Sequence, residues 1–363
     1  MPKVFNLPEY IMKKLSLAVS LGLGIVALPT FAATEVSSEA DFFSKNGEIT
    51  TLENYAVFES SRQILKNQDL AGINKFLHKR QLTPTDQQPV VRMNRDTYYS
   101  MAVVDVSEGA SITLPEVPEG KYLSYQVVTE DHRIQAMGYG AGTYELQTHT
   151  GDHVYIVVRL DATFTEAEAR KIQDQMRIDA KSNKMFTAEQ VNKASFEKVE
   201  NELKAQMPTI LKRDGSQALT GMFTDPNDES KELYTEEKYA VGAAIGWGGA
   251  QMKDNIYEVS GNYPASQCHQ ATFEDPQNQA FWSITVYDKA GFMFNDVANL
   301  SSNTATPNKD GSYTISFGCG EDAPNNIQTA NDSGVFNLGI RHYMPSQKVT
   351  DGYRILPTVT AVK

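Results

Sequence analysis

Between residues 92 and 98 the chain sets a guanidinium, an amide, a carboxylate and a phenol at alternate positions: Arg92, Asn94, Asp96 and Tyr98. Residues two apart on an extended strand share a face, so these four groups together would suit a ligand rich in hydroxyl or carboxyl oxygens. The same set also suits a buried polar network, in which Asp96 caps the Asn94-Arg95-Asp96 elbow and Arg92 neutralises it. Further on, Glu130-Asp131-His132-Arg133 offers acid–base chemistry. There His132 would be a general base oriented by a carboxylate, with Asp131 or Asp96 as the acid–base carboxylate. A lone histidine at a strand end is more often a hydrogen-bonded surface residue. Trp247 stands among Gly246, Gly248 and Gly249, which leave room for an exposed indole to stack on a sugar or an apolar ligand. Asp254 could bond the same ligand. Trp282, inside an alternating strand, reads as core. Arg341 and Tyr343 share a face with His342 opposite, and Arg341 is expected to pair with an acid of the other half of the chain.

The usual catalytic signatures do not occur: no G-x-S-x-G elbow, no G-K-[ST] phosphate loop, no H-E-x-x-H and no dinucleotide fingerprint. The six histidines are scattered, and His149 and His153 fall in a β/turn context, so no metal site and no cofactor is expected. Cys268 and Cys319 are the only cysteines. In an exported protein they would form one disulfide; otherwise they are two free thiols.

Export is itself an expectation from residues 1–32. Lys13-Lys14, an apolar run from Leu15 to Leu28, and Thr30-Phe31-Ala32 describe a secretory signal cleaved near Ala32, with Met12 an alternative start. The run falls short of the roughly 20 residues a membrane span takes, so no integral anchor is expected. The 363 residues carry a net charge of −12, and losing residues 1–32 removes three lysines and one glutamate, leaving the remainder more acidic still. Such a surface repels phosphate backbones, which argues against nucleic acid and anionic membrane as partners.

The elements that must position these groups follow from periodicity. A helical lead-in covers 50–80, with a Thr50/Glu53 capping box and a second short helix carrying Leu70, Ile73, Phe76 and Leu77. A strand beginning at Val90 breaks at the elbow and resumes through Val106. Short strands follow to Leu160, among them Val154–Val158, apolar enough to be buried on both faces. Residues 163–212 turn helical, with Thr165/Glu168 and Thr187/Gln190 boxes and an interruption at Pro208. The last third returns to β, where Phe281–Asp288 alternates Phe/Ser/Thr/Tyr against Trp/Ile/Val.

Several segments in order resemble a known family: VVRMNRDTYYSMAVVDV at 90–106, Glu130–His132, GWGG at 246–249 with KD at 253–254, FWSITVYDKAG at 281–291, DGSYTISFG at 310–318, and LGIRHYMP followed by DG at 351–352. Together they are similar to the bacterial two-domain family that joins domain-of-unknown-function families 1254 (N-terminal) and 1214 (C-terminal). The resemblance implies two β-rich domains with a helical segment between them in an exported protein, and it supplies no chemistry. The chain departs from the family where an Asn-Cys-Leu-Pro-like motif is replaced by Asn325–Thr329, which leaves Cys268 as the candidate partner of Cys319. It departs again at Arg133, where an aromatic is typical.

The sequence therefore reads as an α+β protein: signal peptide 1–32, an N-terminal β-rich domain 33–162, a helical connection 163–235 and a C-terminal β-rich domain 236–363, the β parts being antiparallel, sandwich- or jelly-roll-like. Its leading functional expectation is a periplasmic or secreted protein binding a polar small molecule or glycan-like ligand through Arg92, Asn94, Asp96, Tyr98, Trp247 and Asp254. The alternatives are a hydrolase or lyase using Asp96, Asp131 or His132, and a structural or assembly protein that forms a homo-oligomer through its aromatic strands.

Overall fold

An all-buried strand, His153–Asp161, forms the centre of the N-terminal half. It pairs antiparallel with Thr97–Asp105 on one side and Leu123–Thr129 on the other, and Leu77–His78 and Gly138–Tyr139 complete five strands. The computed structural model describes residues 34–88, 91–135, 137–224 and 235–362; the expected secretory leader lies outside them. One face of this sheet (Val104, Val127, Ile156, Val158, Leu160) packs on a three-stranded sheet that supplies Ile112, Leu114 and Leu146. The other face (Val103, Val128, Tyr155, Val157) receives helices α1 (Tyr55–Ala71), α3 (Lys193–Asp214) and α4 (Glu236–Gly246). Burial on both faces explains why this strand, between His153 and Asp161 at its ends, is apolar except for Arg159.

The C-terminal half is a two-sheet sandwich. Asn255–Val259, Val335–Tyr343, Phe281–Tyr287 and Asn299–Ser301 form one sheet, and Asn326–Ile327, Tyr313–Phe317, His269–Phe273 and Val359–Ala361 the other. Trp282, Ile284, Val286, Ile315, Phe317, Leu338 and Ile340 fill the core between them. Cys268 and Cys319 extend adjacent strands and are bonded, closing a separation of 51 residues.

The alternation expected at 281–288 thus has a physical meaning. Trp282, Ile284 and Val286 enter the sandwich core. Phe281, Ser283, Thr285 and Tyr287, with Arg341 and Tyr343 beside them in register, form the opposite face, which meets the N-terminal half. Two β-rich halves with helices at the start and in the middle make this an α+β protein.

Several local expectations are corrected. Helix α1 has Asn54 at its N-cap, with Thr51 N–H donating to Asn54 Oδ1 at 2.7 Å, so no Thr50/Glu53 box forms. Gly72, at φ +82°, ends the helix, and Leu77 pairs as a strand rather than continuing a helix. The Thr165/Glu168 box caps helix α2 (Glu166–Gln173), but Thr187 precedes a short strand, Ala188–Glu189, and α3 starts from Asn192. Pro208 sits inside α3, which continues past it. Val90, the expected start of a strand, lies outside the described residues; residues 91–96 are turn and bend with Arg92 at φ +58°, and a strand starts at Thr97.

Candidate functional site

Because residues 91–96 are not extended, alternate side chains there do not share a face. Tyr98 turns into the N-terminal sandwich and donates to Phe164 O at 3.0 Å. Asp96 crosses to the C-terminal half. Its Oδ2 accepts Ser283 Oγ at 2.7 Å and Tyr343 OH at 2.9 Å, its Oδ1 accepts Asn299 Nδ2 at 3.0 Å, and Arg341 Nη1 lies 3.9 Å away. Its side chain is fully enclosed. Arg341, expected to hold the halves together through an acid, does so here, and also donates to Arg92 O and to Tyr287 OH, each at 2.8 Å. Arg92 bonds Asn337 Oδ1 at 3.0 Å, so Arg341, not Arg92, neutralises Asp96.

Next to this network a row of side chains crosses the N-terminal sheet. The register aligns Tyr99 with Arg159, Arg159 with Ser124, and Ser124 with Tyr139, so the four sit abreast on one face. Tyr99 OH accepts from Asn94 Nδ2 at 2.9 Å. Tyr139 OH donates to Asp254 Oδ1 at 2.8 Å. From the C-terminal half, Tyr257 and Tyr343 approach Arg159, and Tyr122 packs edge-on against Phe281 and Tyr343 with centroids 5.5 and 5.6 Å apart. Burial pushes the Tyr122 phenol up to about 12 and raises Tyr257 and, more strongly, Tyr343. All three are therefore protonated donors at neutral pH. Burial also raises the Asp254 carboxyl, whose Oδ2 has no hydrogen-bond partner among the described residues.

Arg159 is the centre of this arrangement. Its Nη1 donates to Gln126 Oε1 at 2.7 Å, and it has no carboxylate within ion-pair distance among the described residues. Gln126 is in turn fixed by Gly248 O at 2.8 Å and Gly249 O at 3.2 Å. Arg159 keeps 8% of its surface accessible, and Tyr257 is only half-buried. On the seam between the halves, Tyr122, Tyr139, Phe281 and Met344 line a surface pocket of about 160 Å³. A second seam pocket of about 310 Å³ is polar, lined by Arg95, Tyr98, Glu166 and Asp296.

The remaining sequence candidates lie elsewhere. His132 is buried at φ +62°, its ring among Trp247, Tyr239 and Phe223. Its Nε2 accepts Gly248 N–H at 3.0 Å, and burial lowers it to about 3, so it is a neutral wall residue rather than a strand-end surface histidine. Asp131 bonds His149 Nε2 at 2.8 Å; burial works to raise it, but Thr129 and His149 outweigh that and hold it low. Trp247 is not an exposed platform, because its Nε1 donates to Ser60 Oγ of α1 at 3.0 Å and its ring meets Tyr155 edge-on. Its glycines have other work. Gly248, at φ +71°, turns its amide to His132 and its carbonyl to Gln126, and a Cβ at Gly249 would strike the Phe223 ring. Among the described residues no group of three or more His, Cys, Asp or Glu could hold a metal, and no helix is long and apolar enough to cross a membrane.

The family described as Protein of unknown function (DUF1254) matches residues 73–179, and Protein of unknown function (DUF1214) matches 260–347. The chain is a DUF1254–DUF1214 two-domain protein. Among solved structures, the VPA0106 protein from Vibrio parahaemolyticus aligns over 86% of this chain and 98% of its own, at 16% identity with a TM-score of 0.63, a likeness of fold. A protein from Burkholderia cenocepacia aligns over 82% of this chain and 84% of its own, at 13% identity with a TM-score of 0.47. No curated protein matches in sequence. The DUF1254 match contains Tyr99, Tyr122, Gln126, Tyr139 and Arg159; the DUF1214 match contains Phe281, Arg341 and Tyr343, and Asp254 and Tyr257 lie just ahead of it.

Sequence reading missed most of these residues. The available signal was Arg159 itself: an arginine inside VYIVVRLD, a strand otherwise apolar enough for burial on both faces, must be paired, functional or both.

Proposed function

We propose that this DUF1254–DUF1214 protein is an exported binding protein that holds a small polar organic molecule between its two β-rich halves. The observation that carries the reading is Arg159, a buried guanidinium with one hydrogen bond spent and a part of its surface still accessible, beside protonated tyrosines. Burying a cation away from water is costly unless other groups take up its donors, and a ligand that did so would gain from the low dielectric around it. Tyr99 and Tyr257 each keep a phenolic proton that no described acceptor takes, so hydroxyls and aromatic faces flank the guanidinium.

Acid–base catalysis by the sequence candidates finds no comparable support. Both Asp96 oxygens are occupied, and the accepting nitrogen of His132 is used by Gly248. Export is supported by the charged, apolar and small-residue pattern of residues 1–32 and by the Cys268–Cys319 bond, which suits an oxidising compartment.

Two measurements test the proposal. A thermal-shift screen of the purified protein against small polar organic molecules should yield saturable stabilisation that Arg159→Met abolishes. Hits that stabilise the variant equally would refute the site. Expressed in a bacterial host, the protein should be recovered from the periplasm beginning at Ala33, and cytoplasmic recovery of the uncut chain would refute export.

A further inference from the structure

We infer that the group seated on Arg159 is a carboxylate, gripped through the Nε and Nη2 edge of the guanidinium. This inference rests on the binding reading above and adds the ligand's chemical class. A guanidinium presents two parallel N–H bonds along that edge, the spacing that matches the two oxygens of a carboxylate.

The chain shows the fit twice in its own arginines. Arg62 holds Glu59 with Nε to Oε2 and Nη2 to Oε1, both at 2.8 Å. Arg213 holds Asp214 the same way, at 2.7 and 2.9 Å. Arg159 differs because its Nη1 goes to Gln126 and the Nε/Nη2 edge has no partner among the described residues. Those other two arginines are partly exposed, whereas Arg159 is more than nine-tenths buried. An unmet edge is cheap in water and costly where Arg159 sits.

The site is also built to hold that edge still. Gln126, itself fully buried, anchors Nη1, and two glycine carbonyls anchor Gln126. Tyr99 lies against the guanidinium, its ring centroid 5.9 Å from the central carbon. The nearby carboxylates are committed elsewhere: Asp96 to Arg341, Ser283, Asn299 and Tyr343, and Asp254 to Tyr139. Asp96 cannot turn to Arg159 without abandoning those bonds, and Asp254, held through its Oδ1 by Tyr139, makes no ion pair with Arg159, so the matching carboxylate comes from outside the chain. The surface pocket lined by Tyr122 and Tyr139 shares Tyr139 with the row of side chains that holds Arg159.

The test uses matched probes at constant ionic strength: acetate against acetamide, and 4-hydroxybenzoate against 4-hydroxybenzamide. Melting temperature and calorimetric titration are read for the wild type, Arg159→Met and Arg159→Lys. The expected result is that at least one carboxylate binds saturably, at least about tenfold more tightly than its amide. Arg159→Met should lose that preference, and Arg159→Lys should recover it only in part, because a point charge lacks the paired edge. Amides binding the wild type as tightly as carboxylates would overturn the carboxylate class while leaving the binding site standing. Equal binding of all probes by Arg159→Met would overturn the site as well, as would no binding of any probe by a folded wild type.

Discussion

Asp96→Asn is the substitution that most directly probes how the halves are joined. Asp96 takes three hydrogen bonds from the C-terminal half and lies 3.9 Å from the buried Arg341 guanidinium. Asparagine can keep the bond from Asn299 Nδ2 at its carbonyl oxygen, but its amide then faces the Ser283 and Tyr343 hydroxyls, which must turn from donating to a charge to accepting from a neutral group. Two charge-assisted hydrogen bonds become neutral ones of roughly half the strength, and Arg341 keeps its charge without a carboxylate. The expected destabilisation is therefore about 3–5 kcal/mol, the range for removing one partner of a buried pair. Guanidinium denaturation should show this as a lower midpoint. Adding Arg341→Met should return part of the loss, since the uncompensated charge goes with it, and the double-mutant cycle should give a coupling of about 1 kcal/mol or more. A loss below about 1 kcal/mol, or strict additivity, would refute the claim that this pair fastens the seam.

The disulfide and His132 give two other outcomes. Reducing the Cys268–Cys319 bond, or replacing both cysteines with alanine, should cost about 4 kcal/mol from loop closure over a separation of 51 residues, read as a drop in denaturation midpoint with dithiothreitol; an unchanged midpoint would refute it. His132 is lowered to about 3 by burial, so below its ordinary value of about 6.5 the unfolded chain takes up a proton that the folded chain refuses. Stability should therefore fall as pH drops from about 6.5 toward 3, by up to about 1.4 kcal/mol per pH unit from this group. His132→Asn, whose side chain tolerates a positive φ, should flatten that slope in denaturation series across pH, and an identical slope would refute the assignment.

What periodicity made legible was the part of the protein governed by burial along a single strand. The alternation at 281–287 gave both faces of that strand, one entering the sandwich and one meeting the other half. The apolar run at Val154–Val158 was recognisable as a strand covered on both sides, and the Thr165/Glu168 pair marked a real helix start. Local reasoning failed where a longer-range contact decided the backbone. Residues 91–96 bend because Arg92 N–H bonds Gly291 O and its carbonyl is held by Arg341, partners about 200 or more residues away. Leu77 pairs as a strand because Thr97–Asp105 offers an edge, whatever its helical spacing with Ile73.

The candidate site divides in the same way. Residue type announced that Arg92, Asp96 and Arg341 must be paired with something, since charge inside β-rich sequence has to be compensated. It did not announce Arg159, Tyr99, Tyr122, Tyr139 and Tyr257 as neighbours, because strand register and the docking of two sheets place them together, and neither leaves a short-range trace in the chain. Burial preferences are written residue by residue, so the sequence alone determines which faces hide from water. A hollow belongs to no segment, so only the packed tertiary structure decides where one forms and which donors front it.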